Sequence, residues 1–233
     1  MATSSSSPLQ VSAHLARAPF YFNSASYLTR IGRERAGNLA ELLEGLKSCP
    51  EASVFHHTFQ TLREHHYIRA GFSNDFAQWA FAACNEIGLA ERLAAVDLRD
   101  FTSLVAMRAR IVGAVESYLK QNPAAGARPA FEPFYFCASE AVVISTSFVA
   151  RSLEEFAECL ERVSLYSISH HFLSARLRLK LASNDFSAWL EEELDLAPLA
   201  ARLNRIDIYT STLTDVRRKI LQLVQQEISR SAP

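Results

Sequence analysis

The sequence predicts an all-α fold, built as a tandem duplication of a four-to-five-helix unit packed with approximate two-fold pseudo-symmetry. Three observations lead there. Only 7 glycines occur in 233 residues, among abundant Ala, Leu, Glu and Arg, a composition with few turns and many strong helix formers. Apolar residues recur at threes and fours along most of the chain, as one face of a helix requires. The chain also repeats itself. Pro19-Phe20-Tyr21-Phe22 returns 114 residues later as Pro133-Phe134-Tyr135-Phe136, and Ser53 to His57 returns at the same offset as Ser167 to His171. Ser73, Asn74, Asp75, Phe76 and Trp79 return 110 residues later as Ser183, Asn184, Asp185, Phe186 and Trp189. A self-similarity of this kind governs the whole architecture and is read before local detail.

The elements follow in order. Residues 1–17 open with Ser4 to Ser7 and lack the charged and apolar regions of a secretory signal, so a disordered tail on a cytoplasmic protein is expected. The first repeat spans 18–120 and the second 133–233. Leu39, Leu42, Leu43 and Leu46 make the stripe of a first helix, with Leu153, Phe156, Ala157 and Leu160 as its counterpart. A second helix is expected after Ser53 or Ser167, read as N-caps, and in the first repeat it runs to about His66. Phe76, Trp79, Ala80 and Ala83 form a third stripe, matched by Phe186, Trp189, Leu190 and Leu194. A short fourth helix carries Leu89, Leu93 and Val96, or Leu199, Leu203 and Ile206, and closes at Asp97 or Asp207. The last helix runs through Leu104, Met107, Ile111, Val115 and Tyr118, or Leu213, Val216, Ile220 and Val224, and Thr212 with Asp215 resembles a capping box. Between the repeats, 121–132 holds Asn122, Pro123, Gly126 and Pro129, which no helix crosses unbroken.

Composition excludes several function classes. Lys and Arg number 24 against 25 Asp and Glu, a formal charge of −1, which supplies no electrostatic field for a nucleic-acid backbone. No apolar run reaches the roughly 18 residues of a membrane span. Cys49, Cys84, Cys137 and Cys159 lack metal or redox spacing and read as small buried hydrophobes in a reducing compartment. Phosphate loops, nucleophile elbows, dinucleotide fingerprints and the zinc-protease motif are missing from the sequence.

The candidate site residues are those that repeat. His56 and His57 with His170 and His171 invite a divalent metal, yet His56 and His57 are followed at i+4 by Gln60 and Thr61, so one helix supplies no chelate. A metal site would have to assemble across the two-fold axis, with His57 and His171 as its ligands. Glu41, Glu44, Glu155 and Glu158 could complete a bundle di-metal centre, but at about 100° per residue Glu41 and Glu44 fall opposite the apolar stripe and face water. Asn74-Asp75 and Asn184-Asp185 read as helix caps, with Asp75 and Asp185 kept as candidate ligand residues. Arg92 and Arg202 would pair with Asp75 or Asp97 in their own half, or converge as a pocket for a small anionic ligand. Tyr21 and Tyr135 would line such a cleft or anchor their segments in the core.

At Phe20-Tyr21-Phe22, the 38–46 helix, Ser53 to Thr58, Arg63-Glu64-His65-His66, Asn74-Asp75-Phe76 and Glu91-Arg92-Leu93-Ala94, the chain resembles an uncharacterised bacterial family, domain of unknown function 5752. The likeness runs from about residue 18 to the end and implies no activity, cofactor or catalytic residue. The second repeat departs from it, with Phe172 in place of Thr58 and Leu177-Arg178-Leu179-Lys180 in place of the 63–66 cluster. The expected function is a non-catalytic module that binds a protein or small anionic ligand in the groove between repeats, with no cofactor. The alternative is a metal- or small-molecule-dependent enzyme whose four paired histidines converge at the inter-repeat interface.

Overall fold

The computed structural model describes residues 15–60, 72–175 and 183–231. The fold is mixed, not all-α. Two long strands, β1 (Leu15–Ala36) and β2 (Phe134–Ser152), pair antiparallel with Tyr27 opposite Ala141 and with irregularities near Leu15/Phe20, Tyr21/Asn23 and Ile31/Arg35. The expected repeating unit of helices alone packed through like faces is therefore replaced by helices arranged around a shared two-stranded ribbon. The physical reason lies in the Phe-Tyr-Phe triplets. Phe20 and Phe22 are buried while Tyr21 is 60% exposed, and Phe134 and Phe136 are buried while Tyr135 is 47% exposed. That alternation has the period of a strand. Val142, Val143, Ile144, Thr146 and Val149, with the aromatic Phe148, add β-branched and aromatic residues that favour the same state.

β1 begins at Leu15, so Leu15 to Arg17 are strand residues. After it come α1 (Leu39–Ser48) and α2 (Glu51–Phe55), then a π-helical turn (His56–Gln60), α3 (Asp75–Ala82), α4 (Ile87–Ala94), a 3-10 turn (Leu98–Asp100), α5 (Leu104–Gln121) and the single turn α6 (Pro123–Gly126) inside the expected linker. After β2 come α7 (Leu153–Arg162), α8 (Leu165–Ile168), a second π-helical turn (Ser169–Leu173), α9 (Asp185–Glu192), α10 (Ala197–Asn204) and α11 (Leu213–Ser231). The 63–66 cluster and Leu177 to Lys180 lie outside the described residues.

Local chemistry sets the helix starts. Asn38 accepts from the Glu41 amide at 2.9 Å while Glu41 Oε2 accepts from the Gly37 amide at 2.7 Å. Ser152 and Glu155 do the same at the start of α7, where Glu155 Oε2 accepts from the Arg151 amide. These reciprocal caps satisfy amides that the first turn leaves without a partner. Thr212 and Asp215 form the capping box the sequence suggests, with Asp215 N–H donating to Thr212 Oγ1 at 3.1 Å and Thr212 N–H donating to Asp215 Oδ2 at 3.1 Å. The second helix starts earlier than expected, after Pro50 and Ser164, so Ser53 and Ser167 are interior positions and not N-caps. Ser167 instead donates its hydroxyl to the Asn23 carbonyl of β1 at 2.7 Å.

The ribbon exchanges its ends between the two groups of helices. Phe20 and Phe22 of β1 pack on Phe156, Phe186 and His171, with Phe20 also against Trp189, all from the C-terminal half. Phe134 of β2 packs on His57, Phe76 and Trp79, and Phe136 on His57, all from the N-terminal half. Each tryptophan ring N–H bonds the incoming strand or its approach, Trp189 to the Ala18 carbonyl and Trp79 to the Glu132 carbonyl, both at 2.8 Å. Burying each phenylalanine ring contributes about 1.5–3 kcal/mol, so neither helix group is complete without the other half's strand. The exchange also dictates where glycine is needed. A Cβ on Gly45 of α1 would lie 2.3 Å from Phe136 Cζ, so this helical glycine admits the ring of β2.

Candidate functional site

The paired histidines sit where the helix after α2 or α8 widens into a π-helical turn, a local distortion that recurs at functional or constrained positions. Their geometry is nearly the same in both halves. His57 Nδ1 is 2.7 Å from Asp75 Oδ2, and His57 Nε2 accepts from the Cys137 amide of β2 at 2.9 Å. His171 Nδ1 is 2.6 Å from Asp185 Oδ2, and His171 Nε2 accepts from the Asn23 amide of β1 at 2.8 Å. A backbone amide can only donate, so Nε2 carries no proton in either ring and Nδ1–H is the donor to the carboxylate. Each imidazole is thus oriented by an aspartate and fastened to the strand arriving from the other half. Asp75 and Asp185 occupy the first turn of α3 and α9, next to the N-caps Asn74 and Asn184, which accept from Ala77 N–H at 2.9 Å and Ser187 N–H at 3.0 Å. The cap reading of Ser-Asn-Asp-Phe is the one observed, and the histidine partner of its aspartate is what sequence reasoning missed.

These bonds decide how well a metal fits. His56, His57 and Cys137 bring potential ligand atoms within 4.8 Å of one another, as do His170, His171 and Asp185. A coordinating histidine needs one bare ring nitrogen aimed at the ion while the other donates to an outer carboxylate. His57 and His171 have the carboxylate, but the backbone amide of the strand stands at the position of the ion. The Cys137 thiol is also raised above its ordinary value, first by burial and then by the Asp75 charge, which disfavours the ligating thiolate. The residues therefore do not fit a metal bound through His57 and His171 without breaking the strand attachment. The two histidine pairs fall in separate clusters, and His56 Nδ1 meets Ser139 Oγ of β2 at 2.7 Å.

The remaining candidates are scattered. Arg92 donates to Gln121 at 2.8 Å and stacks 5.3 Å from the Tyr118 ring, while Arg202 donates to Gln226 at 2.6 Å. The expected partners Asp75 and Asp97 are replaced by glutamines because α4 and α10 pack against the final helix of their own half. Tyr21 and Tyr135 point outward, contrary to a role as core anchors, because the strand period buries their phenylalanine neighbours instead. Glu41, Glu44, Glu155 and Glu158 are exposed, as their positions on the helical wheel require. Cys49 and Cys84 are buried, whereas Cys137 and Cys159 are half-buried. Burial, followed by the Glu86 charge, pushes the Cys84 thiol up to about 12.

Two further features bridge the halves. Asp97 Oδ1 accepts from the Tyr209 hydroxyl at 2.8 Å, that hydroxyl accepts from the Leu98 amide at 2.6 Å, and the Arg99 guanidinium lies 5.4 Å from the Tyr209 ring. Burial opposes the Asp97 charge, but hydrogen bonds from Arg99 and Tyr209 outweigh it and hold the carboxyl at about 2. Nearby, Phe59, Leu98 and Arg99 close against Phe172, Leu173, Ile206 and Ile208 around only about 10 Å³, room for at most one water. The halves are open elsewhere. A cleft of about 490 Å³ lies between α3 and the approach to β2, lined by Asp75, Gln78, Trp79, Phe131, Glu132 and Tyr135. Phe131 is 87% exposed there. At the position 114 residues before it, Arg17 donates to the Glu192 carbonyl and pairs with Asp195. The sequence signal was a lone phenylalanine between Pro129 and Pro133.

A model for a family of unknown function (DUF5752) matches residues 17–225. The chain belongs to that family. It is similar to a solved structure described as OrfY from Thermoproteus tenax, at 28% identity and a TM-score of 0.81, over 93% of this chain and 98% of that one. No curated protein matches. Among the described residues, no helix is long and apolar enough to cross a membrane.

Proposed function

We propose that this DUF5752 chain is a non-catalytic binding module that takes a cationic side chain of a partner protein in the cleft between α3 and the approach to β2. The observation that carries the reading is Phe131, a large aromatic ring 87% exposed beside Tyr135, Trp79 and two carboxylates, Asp75 and Glu132. Exposed aromatic rings next to acidic groups attract lysine or arginine through the ring face and the carboxylates together. The same acidity disfavours a small anion, and Arg92 and Arg202 are engaged with Gln121 and Gln226 in their own halves. An interaction role also accords with the repeated polar residues, which act within the fold as caps and strand attachments. The enzyme reading with His56, His57, His170 and His171 converging on a metal has less support, because His57 and His171 each hold a backbone amide on Nε2.

Titrating a Trp189→Phe variant with short peptides carrying arginine or lysine, with Trp79 fluorescence as reporter, tests the proposal. Saturable binding that weakens at least tenfold in Phe131→Ala and in Glu132→Gln is expected. Binding indifferent to both substitutions, or a small-molecule substrate turned over by the purified protein, would overturn it.

A further inference from the structure

The ribbon has two outer edges, and they differ in kind. β1 carries Arg30, Arg33, Glu34 and Arg35 along its exposed stretch. β2 from Ala141 to Ala150 contains no charged residue at all. In the middle of that run Val142, Val143 and Ile144 are 47%, 53% and 49% exposed, three consecutive β-branched residues wetted on both faces of the strand. Among the described residues β2 pairs with β1 alone, so its second edge presents backbone donors and acceptors beside this apolar surface. Proteins guard such edges with charge, bulges or cover, and an unguarded one pairs with another strand. β1 carries charge only from Arg30 onward, but opposite Val142 to Ile144 it presents Ser24, the buried Ala25 and Ser26, so the bare apolar edge at this level is that of β2.

We infer that the β2 edge pairs with the β2 edge of a second copy of this chain, joining two ribbons into a four-stranded antiparallel sheet. A two-fold axis in an antiparallel pair brings one residue opposite its own copy, and Val143 stands at the centre of the exposed uncharged stretch. Val142 then lies opposite Ile144 of the other copy, Ala141 opposite Ser145, and Glu140 opposite Thr146, so the central β-branched residues meet one another and no like charges face each other. A β1 pair centred at the same level, on Ala25, would set Ser26 against Ser24 and Tyr27 against Asn23, with no matched run of β-branched residues. Pairing of β2 with a foreign β1 edge would propagate without closing, whereas the isologous pair closes at two. The bare β2 edge and its self-complementary register therefore select a dimer. This inference rests on Val142 to Ile144 and not on the Phe131 cleft.

The test is the mass of the full chain in solution, by sedimentation equilibrium from 1 to 100 μM (order-of-magnitude concentrations spanning ordinary dimer affinities). Twice the chain's 26.0 kDa is expected, falling to the single-chain value in Val143→Lys, where two ammonium groups would face each other. Circular dichroism and the thermal midpoint confirm that this exposed substitution leaves the fold intact. As a second variant, Val143→Cys should form a disulfide-linked dimer on mild oxidation, while Val105→Cys, exposed on α5, should not. Three outcomes would overturn the inference. They are a wild-type chain that stays a monomer throughout, a dimer unaffected by Val143→Lys, and a mass that keeps growing with concentration.

Discussion

Replacing His57 by phenylalanine keeps the ring volume and removes both polar contacts, so it isolates what the histidine does for the strand attachment. His57 is 3% exposed, and no water can substitute when its Nε2 is gone. The Cys137 amide then loses its acceptor inside the protein, a cost of about 1–3 kcal/mol. Asp75 is 34% exposed at its side chain, so its carboxylate is rehydrated and adds little. The expected loss for His57→Phe is about 2–3 kcal/mol, a large share of the 5–15 kcal/mol that typical domains possess. His171→Phe differs in one respect. Asp185 is only 11% exposed, so its carboxylate is rehydrated less readily than that of Asp75 and the loss rises to about 3–4 kcal/mol. Urea unfolding followed by tryptophan fluorescence measures both, and amide hydrogen exchange locates them. Cys137 should lose protection in the first variant and Asn23 in the second, each without the other. Losses under 0.5 kcal/mol, a reversed order, or unchanged protection at both amides would refute the strand-attachment argument.

Four other substitutions probe the fold's remaining devices. Asp97→Asn should remove a pH dependence. The folded pKa of Asp97 is depressed from 3.8 to about 2, so its stabilisation is present above pH 4 and is lost as pH falls through 2. Discounted for its partial exposure, the effect is about 1–2 kcal/mol, and acid titrations of wild type and variant should converge near pH 2. Gly45→Ala should destabilise by about 1–3 kcal/mol through its clash with Phe136, whereas Gly113→Ala, with nothing within 4 Å of the added carbon, should stabilise α5 by about 0.5–1 kcal/mol; thermal melts that show equal shifts contradict the exchange of strands. Asn74→Ala removes the cap on Ala77 N–H and the bond from Asn74 Nδ2 to the Leu93 carbonyl at 3.1 Å, and should lower stability by about 2 kcal/mol without altering peptide binding in the cleft.

Much of the helical part was legible because helix signals are local. The stripe Leu39, Leu42 and Leu46, the Asn74 and Asn184 caps and the Thr212–Asp215 box each depend on residues within about two turns, and each is found where the pattern places it. The strands are less legible for a related reason. A helix-rich average composition hid the alternation of Phe20, Tyr21 and Phe22 and the β-branched run from Val142, although both were present in the letters. The helical wheel likewise put Glu41 and Glu44 in water, but no local rule says what a buried histidine pair is for.

By itself the sequence determined the short-range geometry, namely caps, stripes and the repeated residues that would matter. Only the tertiary structure decided what those residues meet: that His57 holds Cys137 of the opposite half, that His171 holds Asn23, that Arg92 and Arg202 turn to glutamines, and that Phe131 stands exposed where Arg17 forms an ion pair. The reason is physical. These partners lie 24 to 178 residues apart along the chain, so each contact exists only once the chain has folded, and those between the halves require the ribbon to carry the ends of each strand into the other half's core.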